Sequence, residues 1–327
     1  MEQELVRVPE LCDPDKCSAT SPRTAPGALA QWERWAQVRS LAEITSTLDE
    51  HDALDGLPFM PEMAAHCGGT FRVIRRIVKT CVEGTGMRAL RNQDVVLLEG
   101  LRCSGAAHGG CDKGCTLFWK EAWLRSVPSR LGGESALSKP SGGRILRTTT
   151  EPRKWYCQST ELRGATVALS FVAKFLMCLR DLRQSSYTAG EFLVTGMKWA
   201  RLRATGFAAR RHVLRGIQVR TPKASLGLQE GEEVVVRSRA EISATLDKQG
   251  RNRGLEFSSE MIAFCDRRYR VIKRVKRIIV ESTGEMRDLE DTVVLEHVVC
   301  NMQVLGGCPR NQYYLWREIW LKRARPG

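Results

Sequence analysis

Three cysteines recur at matched positions in two stretches of this chain, and thiolates brought to one point bind metal. Residues 38–127 open with VRSLAEITSTLD and close with FWKEAWLRSV; residues 236–323 open with VRSRAEISATLD and close with LWREIWLKR. Between those ends Cys67 corresponds to Cys265, Cys103 to Cys300 and Cys111 to Cys308. A duplication is an internal comparison, because it shows which side chains were kept while their neighbours changed. Soft thiolate ligands suit zinc or iron–sulfur centres. In the first copy Cys103 and Cys111 bracket the loop SGAAHGG, whose glycines permit a tight wrap, and Cys115 follows. Cys67, Cys103, Cys111 and Cys115 would make a closed tetrahedral set, with His108 a further candidate in the same loop. The second copy keeps Cys265, Cys300 and Cys308, but Cys115 aligns near Gln312 and His108 near Leu305. His297 lies on the approach to its loop. That copy predicts either an open three-thiolate site, as catalytic and cluster centres have, or a site that has lost its metal.

Other readings compete for the same residues. No C-x2-C pair occurs in the chain, a departure from the usual zinc signatures. Cys67 and Cys265 would serve equally as small buried hydrophobes, a common fate of free cysteine, and redox thiols are a third option. Zinc is preferred to an iron–sulfur cluster because no run of closely spaced cysteines is present. A structural zinc would supply on the order of 10 kcal/mol to the folding of so small a module. Cys157, in WYCQSTEL, is a candidate nucleophile without a visible base, or else an external metal ligand to one of the modules.

The densest cationic run is Arg267, Arg268, Arg270, Lys273, Arg274, Lys276 and Arg277; the first copy thins it to Arg72, Arg75, Arg76 and Lys79. On a strand, alternate members share one face and can contact phosphates. Tyr269, Phe71, Tyr313 and Tyr314 would offer stacking surfaces nearby. The bland alternative is a solvated face balanced by Glu281, Glu285, Asp288, Glu290 and Asp291 across a hairpin. Glu62/Glu260 and Glu121/Glu318 are also repeated. They are candidates for a general base or ligand, but a structural ion pair with a repeated arginine, such as Arg72/Arg270 or Arg88/Arg287, is the expected role. Trp119, Trp123, Trp316 and Trp320 read as core. P-loop, dinucleotide, nucleophile-elbow and H-E-x-x-H motifs are lacking.

These residues must be carried by something. The 327-residue chain has a formal charge of +14 and twelve cysteines. The charge favours an acidic partner, nucleic acid or protein. The first twenty residues lack the apolar core of a signal peptide. The longest apolar stretch, Ala165–Leu179, is too short for a bilayer and is broken by Ser170 and Lys174. A cytoplasmic protein with reduced thiols is expected. The organisation predicted is a flexible leader (1–30), module 1 (31–127), a Ser/Gly/Pro linker (128–146), a helical connecting segment (147–212) and module 2 (213–327). Ser159-Thr160-Glu161 would start a helix running to about Arg183, followed by one over 189–204. Each module should open with a strand, continue through two short helices, and then form a β-hairpin over YRVIKRVKRIIVESTGEMRDLEDTVVLEHVVC with its turn at Ser282-Thr283-Gly284. Val271, Ile272, Val275, Ile278 and Ile279 also fit helical spacing, but their β-branching favours strand. A last strand carries WREIWL. The fold class predicted is mainly β with inserted helices, as two SH3-like barrels.

At LGLQEGEEVVVRS, GLEFSSEM, TGEMRDLEDTVVLE and CPRNQYYLWREIWL the chain resembles a family of bacterial proteins built from one or two such modules. GLPFMPEM, HCGG and LEGLRCSGAAHGGCDKGC resemble the sister version, and WYCQSTEL extends the likeness past module 1. The resemblance implies a bacterial origin and a modular fold, and no activity. Asp266 stands where the sister pattern has Gly68, which puts that glycine's backbone role in question in module 2. The function expected is a binding or adaptor protein with tandem, zinc-stabilised modules that recognise an acidic partner. The alternative is a metal- or iron–sulfur-dependent enzyme or redox auxiliary of a biosynthetic pathway.

Overall fold

A computed structural model describes residues 35–128, 144–169, 214–300 and 310–324. The expected leader, most of the linker, the helix over 189–204 and Cys308 lie outside the described residues.

Module 1 opens with β1 (Trp35–Val38), after which Ser40 caps the short helix α1 (Leu41–Thr45). Ser40 Oγ accepts the Glu43 N–H while the Glu43 carboxylate accepts the Ser40 N–H, a capping box that fits so short a helix. A two-residue ribbon, β2 (Ala53–Leu54) and β3 (Leu57–Pro58), leads into α2 (Pro61–Ala64). Then come β4 (Thr70–Ile77), the hairpin β5 (Lys79–Val82) and β6 (Gly86–Leu90), β7 (Val95–Leu98), β8 (Trp119–Lys120), a 3-10 turn at Glu121–Trp123, and β9 (Leu124–Val127). The sheet order is β8-β7-β4-β1-β9, and each of these neighbouring pairs is antiparallel.

Where a helix was expected from Ser159 onward, the described part of the connecting segment makes one helical turn and then a strand; 170–183 lie outside the described residues. The segment carries β10 (Thr149–Glu151), β11 (Lys154–Trp155), a single turn α3 (Gln158–Glu161) and then β12 (Thr166–Ala168). β12 pairs with β6, making a three-stranded sheet with β5. Thr166 and Val167 are β-branched, and backbone partners on β6 satisfy their peptide groups better than an isolated helix would. Leu146, Cys157, Leu162 and Ala165 join the module 1 core, so this stretch packs as part of that module.

Module 2 repeats the plan. Its elements are β13 (Glu233–Val236), α4 (Arg239–Ser243), β14 (Arg251–Asn252), β15 (Leu255–Glu256), a 3-10 turn at Ser259–Phe264, and β16 (Arg268–Arg274). They continue through β17 (Arg277–Ile279), β18 (Met286–Asp288), β19 (Thr292–Leu295), β20 (Trp316–Arg317), a 3-10 turn at Glu318–Trp320, and β21 (Leu321–Arg323). The order β20-β19-β16-β13-β21 matches that of module 1 strand for strand. The stretch over 269–280 is therefore strand, and Gly284 at φ +74° turns the hairpin as its sequence implied. WREIWL departs from the predicted continuous strand: the 3-10 turn lets the chain leave one sheet edge and rejoin at the other. The architecture is mainly β with short helices. Neither five-stranded sheet closes into a barrel; β8 and β9, like β20 and β21, are its edges.

The cores repeat as well. All four tryptophans are wholly buried. Phe59 meets Trp123 edge-on at 5.3 Å, and Phe257 meets Trp320 in the same way at 5.2 Å. The repeated glutamates take the structural role, with different arginines from those expected: Arg76–Glu121 at 2.9 Å and Arg274–Glu318 at 3.0 Å. Glu318 also accepts the backbone N–H groups of Leu226, Gly227 and Leu228, so a fully buried carboxylate organises the approach to β13.

Candidate metal centre and the contact between modules

The loop after β7 is shaped by its ends. Cys103 N–H donates to the Cys115 carbonyl at 2.8 Å, closing a neck below the glycine-rich turn. Gly105 has φ +72°, and a Cβ there would stand 2.0 Å from the Cys111 carbonyl oxygen, so only glycine lets the two walls of the loop touch. The folded loop gathers Cys103, Cys111 and Cys115 around one cavity of about 40 Å³, and the connecting segment adds Cys157. Met60, Leu117 and Phe118 provide apolar walls, while Ile279 and Arg310 of module 2 form part of the rim.

Of the predicted ligands, Cys67 does not line this cavity. It sits in the module 1 core, 5% exposed, with its thiol pushed up to about 11 by burial. Cys265 repeats that behaviour, packed against the module 2 core and also raised to about 11 by burial. The matched pair therefore fits the small-hydrophobe reading. Cys300 keeps the neck bond of its copy, donating its N–H to the Gln312 carbonyl at 2.7 Å, and its side chain lies beside Tyr314. His297 points into solvent, 89% exposed, and does not face Cys300. Cys308 lies outside the described residues. Cys157 was legible as an outside ligand, but its place opposite Cys115 came only from the fold of the connecting segment.

Sulfur chemistry in the cavity is pulled two ways. Burial pushes the Cys103, Cys111 and Cys157 thiols up, Cys157 to about 11, which opposes the thiolate form. Backbone amides oppose that push. Gly105 N–H is directed at Cys103, Lys113 N–H and Ile279 N–H at Cys111 (the latter at 3.4 Å), and Ser159 and Thr160 N–H at Cys157.

One trio of candidate ligand atoms among the described residues lies within 4.8 Å of one another: those of Glu62, Cys103 and His108. His108 is 1% exposed; its Nδ1 faces Glu62 Oε1 at 2.6 Å and its Nε2 faces the Tyr156 carbonyl at 2.9 Å. Both ring nitrogens are thus committed to acceptors, which leaves no lone pair for a metal. Burial raises the Glu62 carboxyl, and the hydrogen bond and charge of His108 more than reverse this, leaving it below the usual value. The pair fastens the loop to Tyr156, the residue before Cys157.

The basic run divides. Lys273 lies 3.8 Å from Asp112 of the module 1 loop, Lys276 N–H donates to the Asp112 carboxylate at 2.8 Å, and Arg277 pairs with Asp288 and reaches the Gly109 carbonyl. Arg274 serves Glu318. Lys273, Arg274 and Arg277 are therefore held in structural or interfacial ion pairs, whereas Lys276 engages Asp112 through its backbone and keeps its side chain exposed. Arg267, Arg268 and Arg270 stay exposed. Arg270 lies 3.9 Å from Glu233 at the surface.

Between the modules lies a buried charge cluster. Glu281 bonds Arg310 at 2.7 Å, Lys113 stands 3.6 Å away, and Ser159 bridges to both Arg310 and Glu281. Burial raises the Glu281 carboxyl; Arg310 and then Lys113 more than compensate, holding it below the usual value. The two hairpin turns also meet. Glu83 N–H donates to Glu281, and Ser282 N–H donates to Glu83. Arg102 donates to Gly114 O at 2.8 Å and Asn311 O at 2.9 Å, which are equivalent positions of the two copies.

No protein family matches the chain, and neither a curated protein nor a solved structure is similar to it. Among the described residues no helix is long and apolar enough to cross a membrane.

Proposed function

We propose that this is a binding protein rather than an enzyme, in which two SH3-like modules are joined into one unit that presents a cationic patch to an acidic macromolecule. The observation that carries the reading is the division of the basic run. Lys273, Arg274 and Arg277 are each paired with a carboxylate, whereas Arg267, Arg268 and Arg270 remain in solvent at the start of β16. Arg268 and Arg270 share a face of that strand, and Lys322 of β21, which also pairs with Glu241, is in register with Arg268 through Val235. The SH3-like reading is supported by the 3-10 turn that carries the chain between the two edges of each sheet. Reduced thiols fit a cytoplasmic setting. The alternative, a metal-dependent enzyme or redox auxiliary, would draw on Glu62, Cys103 and His108, and the committed ring nitrogens weigh against it.

The test is fluorescence anisotropy with single-stranded and duplex nucleic acid and with an acidic peptide, over a salt series. Phosphate contacts predict affinity that falls steeply as salt rises. Replacing Arg267, Arg268 and Arg270 together with Glu should weaken binding at least roughly tenfold and leave the thermal unfolding midpoint unchanged. Salt-insensitive binding, or none to any of the three probes, would overturn the reading.

A further inference from the structure

We propose that Cys103, Cys111, Cys115 and Cys157 hold one zinc ion in a closed four-thiolate site, completed by the connecting segment and roofed by module 2. This is independent of the acidic partner, and it replaces Cys67 of the spacing-based set with Cys157.

Four observations support it. First, the four thiols line a single cavity of about 40 Å³. That is room on the scale of a few waters, which suits a single ion. Second, three of the four sulfurs already receive backbone N–H groups. In each of the three a donor is the residue two places on: Gly105 for Cys103, Lys113 for Cys111 and Ser159 for Cys157. Amide donors directed at sulfur stabilise negative charge there, which a neutral thiol does not need. Third, Lys113 and Arg310 line the same cavity. Glu281 shares them and the Glu62 carboxylate stands against Cys103, so these cations offset part of the two negative charges the site would carry once zinc binds. Fourth, Glu62 and His108 are placed as outer supports: His108 holds the carbonyl of Tyr156, the residue before Cys157, against the loop that carries Cys103 and Cys111. Partners at that distance orient ligands.

No three of these sulfurs lie within 4.8 Å of one another, so the ion draws them inward. The glycines of the Cys103–Cys115 loop allow that movement. Four thiolates form from four thiols as zinc enters, and the protons pass to solvent.

The test uses the full chain purified without chelator. Elemental analysis should find about one zinc per chain in a colourless protein, and cobalt substitution should give the intense visible bands of tetrahedral thiolate coordination. Cys157→Ser should lose the zinc and weaken the sulfur-to-cobalt charge-transfer band. Cys67→Ser and Cys265→Ser should retain both. His108→Gln should loosen zinc, raising its dissociation constant roughly ten- to a hundredfold, without changing the cobalt spectrum. If Cys157→Ser fails to fold, mercurial titration of the native protein replaces it, and zinc should leave in step with reaction of four thiols. Metal-free protein that gives no cobalt spectrum, a brown iron-containing protein, or zinc lost in Cys67→Ser but kept in Cys157→Ser would each overturn the proposal.

Discussion

Module 1 folds its cysteine-rich loop inward over its own core, while in module 2 Arg310, at the described end of the matching stretch, reaches across to its neighbour. The necks are the same, Cys103 to Cys115 and Cys300 to Gln312. Beyond them the copies diverge. Lys113 of module 1 borders the thiol cavity, and Arg310, its counterpart, leaves module 2 to clasp Glu281 and Ser159 at that cavity's rim. The framework has changed little by comparison: both sheets keep one strand order, both first helices keep a serine capping box, and Glu43 and Glu241 are both drawn down to about 2, chiefly by their capping serines. The difference teaches that close packing holds sheet, cap and tryptophans alike in both copies, whereas a loop answers to whatever lies against it. Among the described residues, the connecting segment packs into the core of module 1 alone.

Writing one module's residue into the other tests that contrast most severely. On the zinc reading, Cys115→Gln should lower the stability of the full chain by several kcal/mol, toward the order of 10 kcal/mol that structural zinc supplies. Gln312→Cys should change it little. Guanidinium unfolding of both variants checks this, and equal midpoints would show that the modules do not differ by a ligand. A smaller loss should come from the outward arm. Arg310→Met leaves the buried Glu281 with only Lys113 as a cation partner, at a cost of up to about 3 kcal/mol. Because the Glu281 carboxyl is held below its usual 4.5, its contribution is fully present above that pH and drains away as pH falls through the lower folded value. Glu281→Gln should therefore flatten the acid limb of the stability curve, and an unchanged limb would place the acid sensitivity elsewhere. The smallest effect concerns the framework. Asp266 keeps the left-handed backbone of Gly68, φ +61° against +80°, and donates the same bond to the opening strand. Asp266→Gly should raise stability by up to about 1 kcal/mol by removing that strain, read as a small rise in the unfolding midpoint. A fall would mean that the aspartate side chain is itself holding the turn.

Strands, hairpin turns and buried tryptophans were legible in the sequence because period and β-branching act locally. The connecting segment was not. Leu162 and Val167 fit a helical stripe, but β6 offered an open edge, and pairing with it outweighed propensity. The candidate site was half legible for a related reason. Cys103, Cys111 and Cys115 sit on one loop, and their nearness follows from chain length alone. Cys67 and Cys157 were equally distant contenders, and only the packing of α3 against the module 1 core separates them. The basic run misled because charge along a strand says nothing of the Asp112 waiting on another module.

The meeting of the two hairpin turns has a historical consequence. Glu83 and Glu281 occupy the same place in their copies, and each accepts a backbone N–H hydrogen bond from the turn of the other. A patch that binds its own image is an isologous contact. A chain with one module closes such a contact only against a second copy of itself, and there every substitution is made twice. Joining the copies end to end removes that constraint. Within one chain one side can carry thiols and the other supply arginine without either change being repeated across the contact.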